Sequence, residues 1–421
     1  MRAALWLLAL FGVAVAIALF AGNNQGTVTV FWPPYRVDLS LNLVLLLLVG
    51  AFGVLHMAWR ALSALLDLPK QARLWRIQQK ERAMHAALLD ALSHLLAGRF
   101  IRSRKSAEAA LAQEKSLSAG GAQPANAMQL RALSHLLAAE SAQSLQDKAA
   151  RDEHLKLALE HSSQRDAQET REGAQLRAAR WALEDRDPQA AMNWLDELPQ
   201  GVSRRTLALR IRLKAARLAR QTLQALETAR LLAKHRAFSA DAAQSIVRGL
   251  VRELIGNAYD TAQLLRAWHS LEDSERAMPE LAILAAQRLT ALQGDSAQAR
   301  AWLLPAWERM VAPPGELGDQ LSIKLVRALE AGLDTVDAEW LARIESAQLR
   351  NPRSANLQYL AGMACMKRQL WGKAQQLLTH AALGLQDAGL HRNAWRALAE
   401  LAEQRGDLAA ADEAWKRAAQ A

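Results

Sequence analysis

The chain has 421 residues, is 51% apolar but only 5% aromatic, and carries a formal charge of +10. That apolar share excludes a disordered chain, and a single cysteine, Cys365, excludes both an intramolecular disulfide framework and multi-cysteine metal sites. The positive excess points to anionic neighbours, but no nucleic-acid motif accompanies it.

Two apolar runs open the chain, Ala3 to Ala21 and Leu41 to Trp59. A helix rising about 1.5 Å per residue needs about twenty apolar residues to cross about 30 Å of hydrocarbon, and each run nearly supplies them. Residues 1–60 therefore read as a two-helix transmembrane hairpin with a short outer loop at 22–40. A cleaved signal peptide is the competing reading of the first run, whose apolar stretch is too long for one. Within the loop, Thr27 to Trp32 is rich in β-branched and aromatic residues, Pro33-Pro34 interrupts, and Tyr35 to Leu39 alternates in polarity, which predicts a β-hairpin. Trp32 and Tyr35 suit one headgroup layer, Trp6 and Trp59 the other. The loop holds only Arg36 and Asp38, whereas Arg60, Lys70, Arg73, Arg76, Lys80 and Arg82 follow the second run. Basic flanks stay in the cytoplasm, so both termini and the long tail are expected there, with the protein a multi-pass one.

After residue 60, Ala and Leu dominate while Val and Ile are sparse, so the tail should be all-α. Residues 61–83 form a basic juxtamembrane linker in which Arg73, Arg76 and Lys80 make one helical stripe, suited to acidic lipid headgroups; topology alone would also account for it. From residue 84 the chain repeats. Near its end Trp395, Leu398, Ala399, Ala402, Gly406, Ala411, Trp415 and Ala418 fall at tetratricopeptide offsets. Two antiparallel helices approach closely only where both are small, as at Ala399 and Ala411, Gly406 closes the first helix, and Trp415 is expected to fill the space beside the contact. The same frame fits Gly362, Cys365, Ala374, Leu378 and Ala381. It fits more loosely at Gln287, Gly294, Ala299, Leu303 and Ala306, and at Ala178, Trp181, Ala190 and Trp194. Met84 to Leu111, turning at Gly98-Arg99-Phe100, and Leu136 to Leu159 suggest earlier pairs. The expected parts are thus 84–311, the N-terminal section of an α-solenoid; 312–353, an unphased helical connection between Pro313-Pro314-Gly315 and Asn351-Pro352; and 354–421, the C-terminal repeats. A non-repeating Ala-rich bundle is the alternative.

Catalytic chemistry finds no pattern. His154 and His161 lack a carboxylate placed between them as in a metallopeptidase helix, Ser162-Ser163 lacks a nucleophile elbow, and neither metal ligands nor a cofactor are expected. His56, inside the second apolar run, is the one residue considered as a haem ligand, although its place near the cytoplasmic end suits snorkelling or packing better. Cys365 lies on an inward repeat position and reads as a small hydrophobe. A second basic segment runs from Arg204 to Arg220 with no acid before Glu227, and Arg210, Lys214 and Arg217 share a face there. These are candidates for an anionic partner or a solvated surface.

The start Asn24-Gln25-Gly26-Thr27-Val28, Tyr35-Arg36-Val37, Ser40-Leu41, the basic exit, Leu136-Leu137-Ala138-Ala139-Glu140-Ser141-Ala142 and the terminal repeats together resemble the proteobacterial HemY family of inner-membrane tetratricopeptide proteins. The resemblance implies a place in the cell inner membrane and a late step of protohaem synthesis, performed as a scaffold that gathers partner proteins, with no catalytic residues to carry over. It does not extend to the flavin-dependent protoporphyrinogen oxidase of the same name, which needs a Gly-rich dinucleotide loop absent here. An adaptor for envelope lipid or lipopolysaccharide assembly and a porphyrin-binding carrier are the rival readings.

Overall fold

A computed structural model describes residues 11–19, 22, 25–121, 126–162, 167–312 and 317–420. Residues 11–19 of the first apolar run are helical; the rest of that run, with Trp6, lies outside the described residues, as do 122–125, 163–166 with Ser163, and 313–316 with the expected breaker Pro313-Pro314-Gly315. The chain divides into two compact units, residues 1–171 and 172–421.

The first unit opens with the hairpin. Strands β1 (Thr27–Trp32) and β2 (Tyr35–Ser40) pair antiparallel with Trp32 opposite Tyr35. Thr29 donates its hydroxyl to Asp38 at 2.6 Å, and Arg36 lies over the Phe31 ring at 5.4 Å. Ser40 then caps helix α1 (Leu41–Leu96), accepting from the Leu43 amide at 3.3 Å. Among the described residues α1 is the one helix long and apolar enough to cross a membrane. Its 56 residues span about 84 Å, so one unbroken helix joins the apolar run to the first helical pair. Pro69 lies inside it without ending it.

Helices α2 (Phe100–Ala119), α3 (Ala127–Ser144) and α4 (Lys148–His161) pack in turn against their predecessors. Small residues make the close approach possible: Ala91, Ala107 and Ala138 are fully buried together. Beside them Ser141 donates to Ser103 at 2.9 Å, and Ser103 donates to the Ala91 carbonyl at 2.8 Å. This buried hydroxyl chain crosses three helices and leaves both serines partnered.

In the second unit the helices continue as antiparallel neighbours. They are α5 (Gln168–Glu184), which begins in the first unit, α6 (Pro188–Asp196), α7 (Gln200–Ser203), α8 (Thr206–Leu218), α9 (Thr222–Lys234) and α10 (Ala240–Gly256). Then come α11 (Thr261–His269), α12 (Asp273–Arg276), α13 (Pro279–Ala291), α14 (Ser296–Val311) and α15 (Asp319–Glu330). The last are α16 (Ala338–Arg350), α17 (Ala355–Lys367), α18 (Trp371–Gly384), α19 (Ala388–Gln404) and α20 (Leu408–Gln420). One apolar core runs from Leu209 to Ala414, with Trp268 stacked on Trp302 at 4.5 Å. The fold is all-α and tetratricopeptide-like: paired antiparallel helices, each pair burying its face on the next.

The turns repeat one design. The residue after the helix cap takes positive φ at Gly98, Gln146, Arg186, Arg220, Arg236, Gln293, Gln369 and Gly406. The next residue's amide donates back five positions, as Asp147 to Ala142, Asp187 to Ala182, Leu370 to Cys365 and Asp407 to Ala402. Those bonds close the helix ends in the Schellman manner. At three turns the following Asp also caps the next helix, Asp147 accepting from Ala150, Asp187 from Ala190 and Asp407 from Ala410.

The stretch that the sequence leaves unphased is organised by a buried arginine. Arg300 of α14, 4% exposed, donates to the Gly332 carbonyl at 3.0 Å and the Thr335 carbonyl at 2.9 Å, and so holds the 3-10 turn Leu333–Thr335 between α15 and α16.

Candidate functional site

The basic stripe on α1 faces the end of α2. Lys80 donates to Ser116 at 2.7 Å and Arg73 to the Gly120 carbonyl at 3.5 Å, and with Arg76, Ile77 and Leu117 they line a groove of about 410 Å³. The last carbonyls of a helix carry partial negative charge, so these cations stabilise the α2 terminus. Arg73 lies fourteen residues beyond Trp59, about 21 Å along the helix axis, and the Debye length is about 8 Å in physiological salt. Arg60 and Lys70 stand nearer the apolar segment.

On α8 the three expected contact residues differ in what they do. Arg210 donates to the Ala237 carbonyl at 2.9 Å and lies over the Phe238 ring at 5.7 Å, tying α8 to the turn after α9. Lys214 and Arg217 are exposed and have no carboxylate partner among the described residues. Two other arginines of the segment find acids that are distant in sequence: Arg205 meets Glu172 at 3.3 Å and Arg212 meets Asp196 at 2.9 Å.

A histidine cluster that the sequence does not announce sits between α3 and α4. His135 Nδ1 lies 3.1 Å from His154 Nδ1, and the His135 and His161 rings stack with centroids 5.7 Å apart. Burial, then the nearby charges of His154, His161 and Arg131, lowers the His135 imidazole to about 4. Burial also lowers His154. Beside the cluster Arg131 grips Glu114 through two bonds of 2.6 Å. Burial pushes the Glu114 carboxyl up, but the hydrogen bonds from Arg131 and Ser118 outweigh it and hold the group below its usual range. Among the described residues no group of three or more His, Cys, Asp or Glu could hold a metal ion. His56 is exposed within the apolar part of α1, and Cys365 is fully buried in α17.

The repeat-packing residues occupy helix contacts. Ala374, Leu378, Ala381 and Ala399 are fully buried, and Ala411 and Ala418 nearly so. A Cβ on Gly362 would come within 2.8 Å of Leu378, so the close approach of α17 and α18 requires glycine there. Gly406 takes its positive φ at the α19–α20 turn. Trp395 is half-buried, donating to His391 at 3.1 Å with the Arg417 guanidinium 4.7 Å from its ring. Trp415 departs from its expected place: it is 39% exposed and donates to Glu403 at 2.7 Å, because its helix turns that position outward while Ala411, Ala414 and Ala418 face the core.

What the structure builds among the described residues is a series of antiparallel helical pairs, the first of them begun by the long helix α1, the class of helical-repeat proteins. Residues 26–146, under a third of the chain, match the family model described as HemY protein N-terminus. No curated protein matches significantly. Solved structures with some likeness include one titled as the APC/C hetero-tetramer Cut9-Hcn1, at 14% identity, 79% of this chain, 65% of that chain and TM-score 0.27. Another is the TPR domain of P58(IPK), at 14% identity, 76% and 99% coverage and TM-score 0.22. A third is Naa15/Naa10 bound to HypK-THB, at 14% identity, 76% and 56% coverage and TM-score 0.24. The chain thus spans under two thirds of the first of these. With scores this low, the fold assignment rests on the helices described above.

Proposed function

We propose that the protein is an inner-membrane scaffold, not an enzyme, which gathers partner proteins for a late step of haem synthesis. The observation that carries the membrane and scaffold parts is α1. Its apolar residues from Leu45 to Trp59 are exposed, as a bilayer-facing helix requires, and the same helix continues without a break into the first repeat pair. A flexible linker would let the first repeat pair wander, whereas a continuous helix fixes that pair relative to the apolar segment.

In this reading the first apolar run is a second span, the β-hairpin lies outside the cytoplasm, and both termini and the repeats lie inside. The basic flank from Arg60 to Arg82 supports that orientation. Arg60 and Lys70 meet acidic headgroups, with Arg73, Arg76 and Lys80 reaching them only where α1 lies along the surface. Partner proteins bind the repeat helices, and the exposed Lys214 and Arg217 offer charge to an anionic one. The haem assignment is supported by the HemY N-terminal match. Its test is the porphyrin content of cells: deletion of the chain should cause late porphyrin precursors to accumulate, and re-expression should clear them. Normal porphyrins with a damaged envelope would instead favour lipid assembly as the task.

A further inference from the structure

Three helices of the second unit lie side by side, α15, α17 and α19. One carboxylate links them: Glu330 of α15 accepts from the Tyr359 hydroxyl of α17 at 2.6 Å and from the Asn393 amide of α19 at 3.3 Å. Over this network runs an open groove of about 580 Å³. Its rim carries Arg327, Lys367, Arg392 and Arg396, and its apolar lining includes Leu333 and Met363. That volume falls within the about 300–1,000 Å³ usual for binding clefts.

Two of the rim cations are held inside the chain. Arg327 pairs with Asp387, the cap of α19, and Lys367 pairs with Asp334 at 2.7 Å. Gly389 leaves room for this arrangement, since a Cβ there would collide with the Arg327 guanidinium. Arg392 and Arg396 are different. Several cations on exposed helix faces pair with an acid one turn away, as Arg104 and Glu108, Arg180 and Glu184, Arg343 and Glu339, or Arg417 and Glu413, whereas Arg396 forms no ion pair with Glu400 one turn on. Arg392 and Arg396 put two like charges at that same spacing, are exposed, and have no carboxylate partner among the described residues. Such a like-charged pair costs the helix stability, and neither groove carboxylate, Glu330 or Asp334, forms an ion pair with it.

We propose that this groove docks an acidic segment of a partner protein, its carboxylates pairing with Arg392 and Arg396 and an apolar side chain resting on the partly exposed Met363. The inference rests on the scaffold reading above and gives it a location and a partner chemistry. A peptide fits better than a nucleic acid, because Glu330 and Asp334 also line the groove and would repel a strand with a phosphate at every step. Spaced carboxylates can avoid them, and the guanidinium forks suit bidentate carboxylate pairing.

The test uses the full chain in detergent and a fluorescein-labelled peptide of repeated Glu-Glu-Leu, with Lys-Lys-Leu repeats as the control. Fluorescence anisotropy should show saturable binding of the acidic peptide alone, weakening with salt. The double change Arg392→Glu with Arg396→Glu should reduce affinity by about tenfold or more, and Arg392→Gln with Arg396→Gln should do so to a smaller extent. Reversal of the exposed Arg102 and Lys105 alters net charge equally and should leave binding intact, while thermal melts confirm that every variant is folded. Equal binding of both peptides, equal loss in the two reversal pairs, or displacement by oligouridylate more readily than by unlabelled acidic peptide would each overturn the proposal. Crosslinking in native membranes separates it from the scaffold reading. A wild-type chain that captures no protein refutes the scaffold, whereas captured partners retained after the Arg392 and Arg396 reversal refute the groove alone.

Discussion

Gln369 shows how single positions set the turns. Its φ of 61° is a conformation that L side chains enter at a cost of about 1–2 kcal/mol and that glycine adopts freely. Replacing Gln369 by Gly should therefore stabilise the second unit by about 0.5–1 kcal/mol, read as a higher melting temperature; a lower one would mean that its side chain holds the turn by some other contact. A second residue-scale expectation concerns acid. The His135 imidazole titrates near 4 when folded, against 6.5 ordinarily, so between those values the unfolded chain binds more protons. Stability contributed by the neutral ring is complete above about pH 6.5 and is lost as pH falls toward about 4. His154 is lowered too and acts in the same direction. The melting temperature should fall between pH 7 and pH 5, and His135→Phe should shrink that fall. Neither feature is legible from composition, since positive φ at Gln or Arg has no glycine to signal it and the imidazoles meet only when α3 packs on α4.

At the scale of elements, Arg300 and Ala411 make opposite points. Arg300 donates hydrogen bonds to the carbonyls of the turn between α15 and α16, and Arg300→Met would remove them, leaving the buried Gly332 carbonyl only the long 3.5 Å bond from the Thr335 hydroxyl. The expected loss is about 2–3 kcal/mol, measured by denaturant unfolding, and a near-neutral result would show that water reaches the turn. Ala411 is 4% exposed at the contact of α19 and α20, so Ala411→Trp should destabilise by about 1–3 kcal/mol through overpacking. Lys416, whose side chain is 70% exposed, should tolerate Ala within about 0.5 kcal/mol. Comparable effects at both sites would show that α20 is packed in another register. The alanine spacing that places Ala399 and Ala411 is readable because close helix approach demands small residues at fixed offsets. The role of Arg300 is not, because its partners Gly332 and Thr335 come from a turn brought to it only by folding.

For the whole molecule the decisive property is how the repeats are carried. Because α1 continues from Leu41 to Leu96, the orientation of its apolar part governs where the first helical pair lies. A reporter active only outside the cytoplasm should work when fused within the β-hairpin at residues 27–40 and be silent when fused after Arg82; activity after Arg82 would reverse the topology and remove every cytoplasmic partner. Breaking α1 with a Gly-Gly insertion after Lys70 should leave the protein in the membrane, and its melting temperature unchanged, while weakening any function that needs a fixed distance from the bilayer. A porphyrin phenotype insensitive to that insertion would mean that the anchor serves only to localise.

The amino-acid sequence by itself determined the membrane-length apolar run at Leu41 to Trp59, the hairpin before it, the helical character of the tail and the small-residue contacts of the last repeats. Those follow from local periodicity, side-chain size and transfer energy, which act between near neighbours. Only the tertiary structure decided which charges remain free. Arg210 lies over Phe238, Arg205 and Arg212 meet acids on other helices, and Arg392 and Arg396 are left unpaired on a groove floored by Glu330. Electrostatic pairing depends on distance in space, and in a stack of helices that distance is set by contacts far apart along the chain.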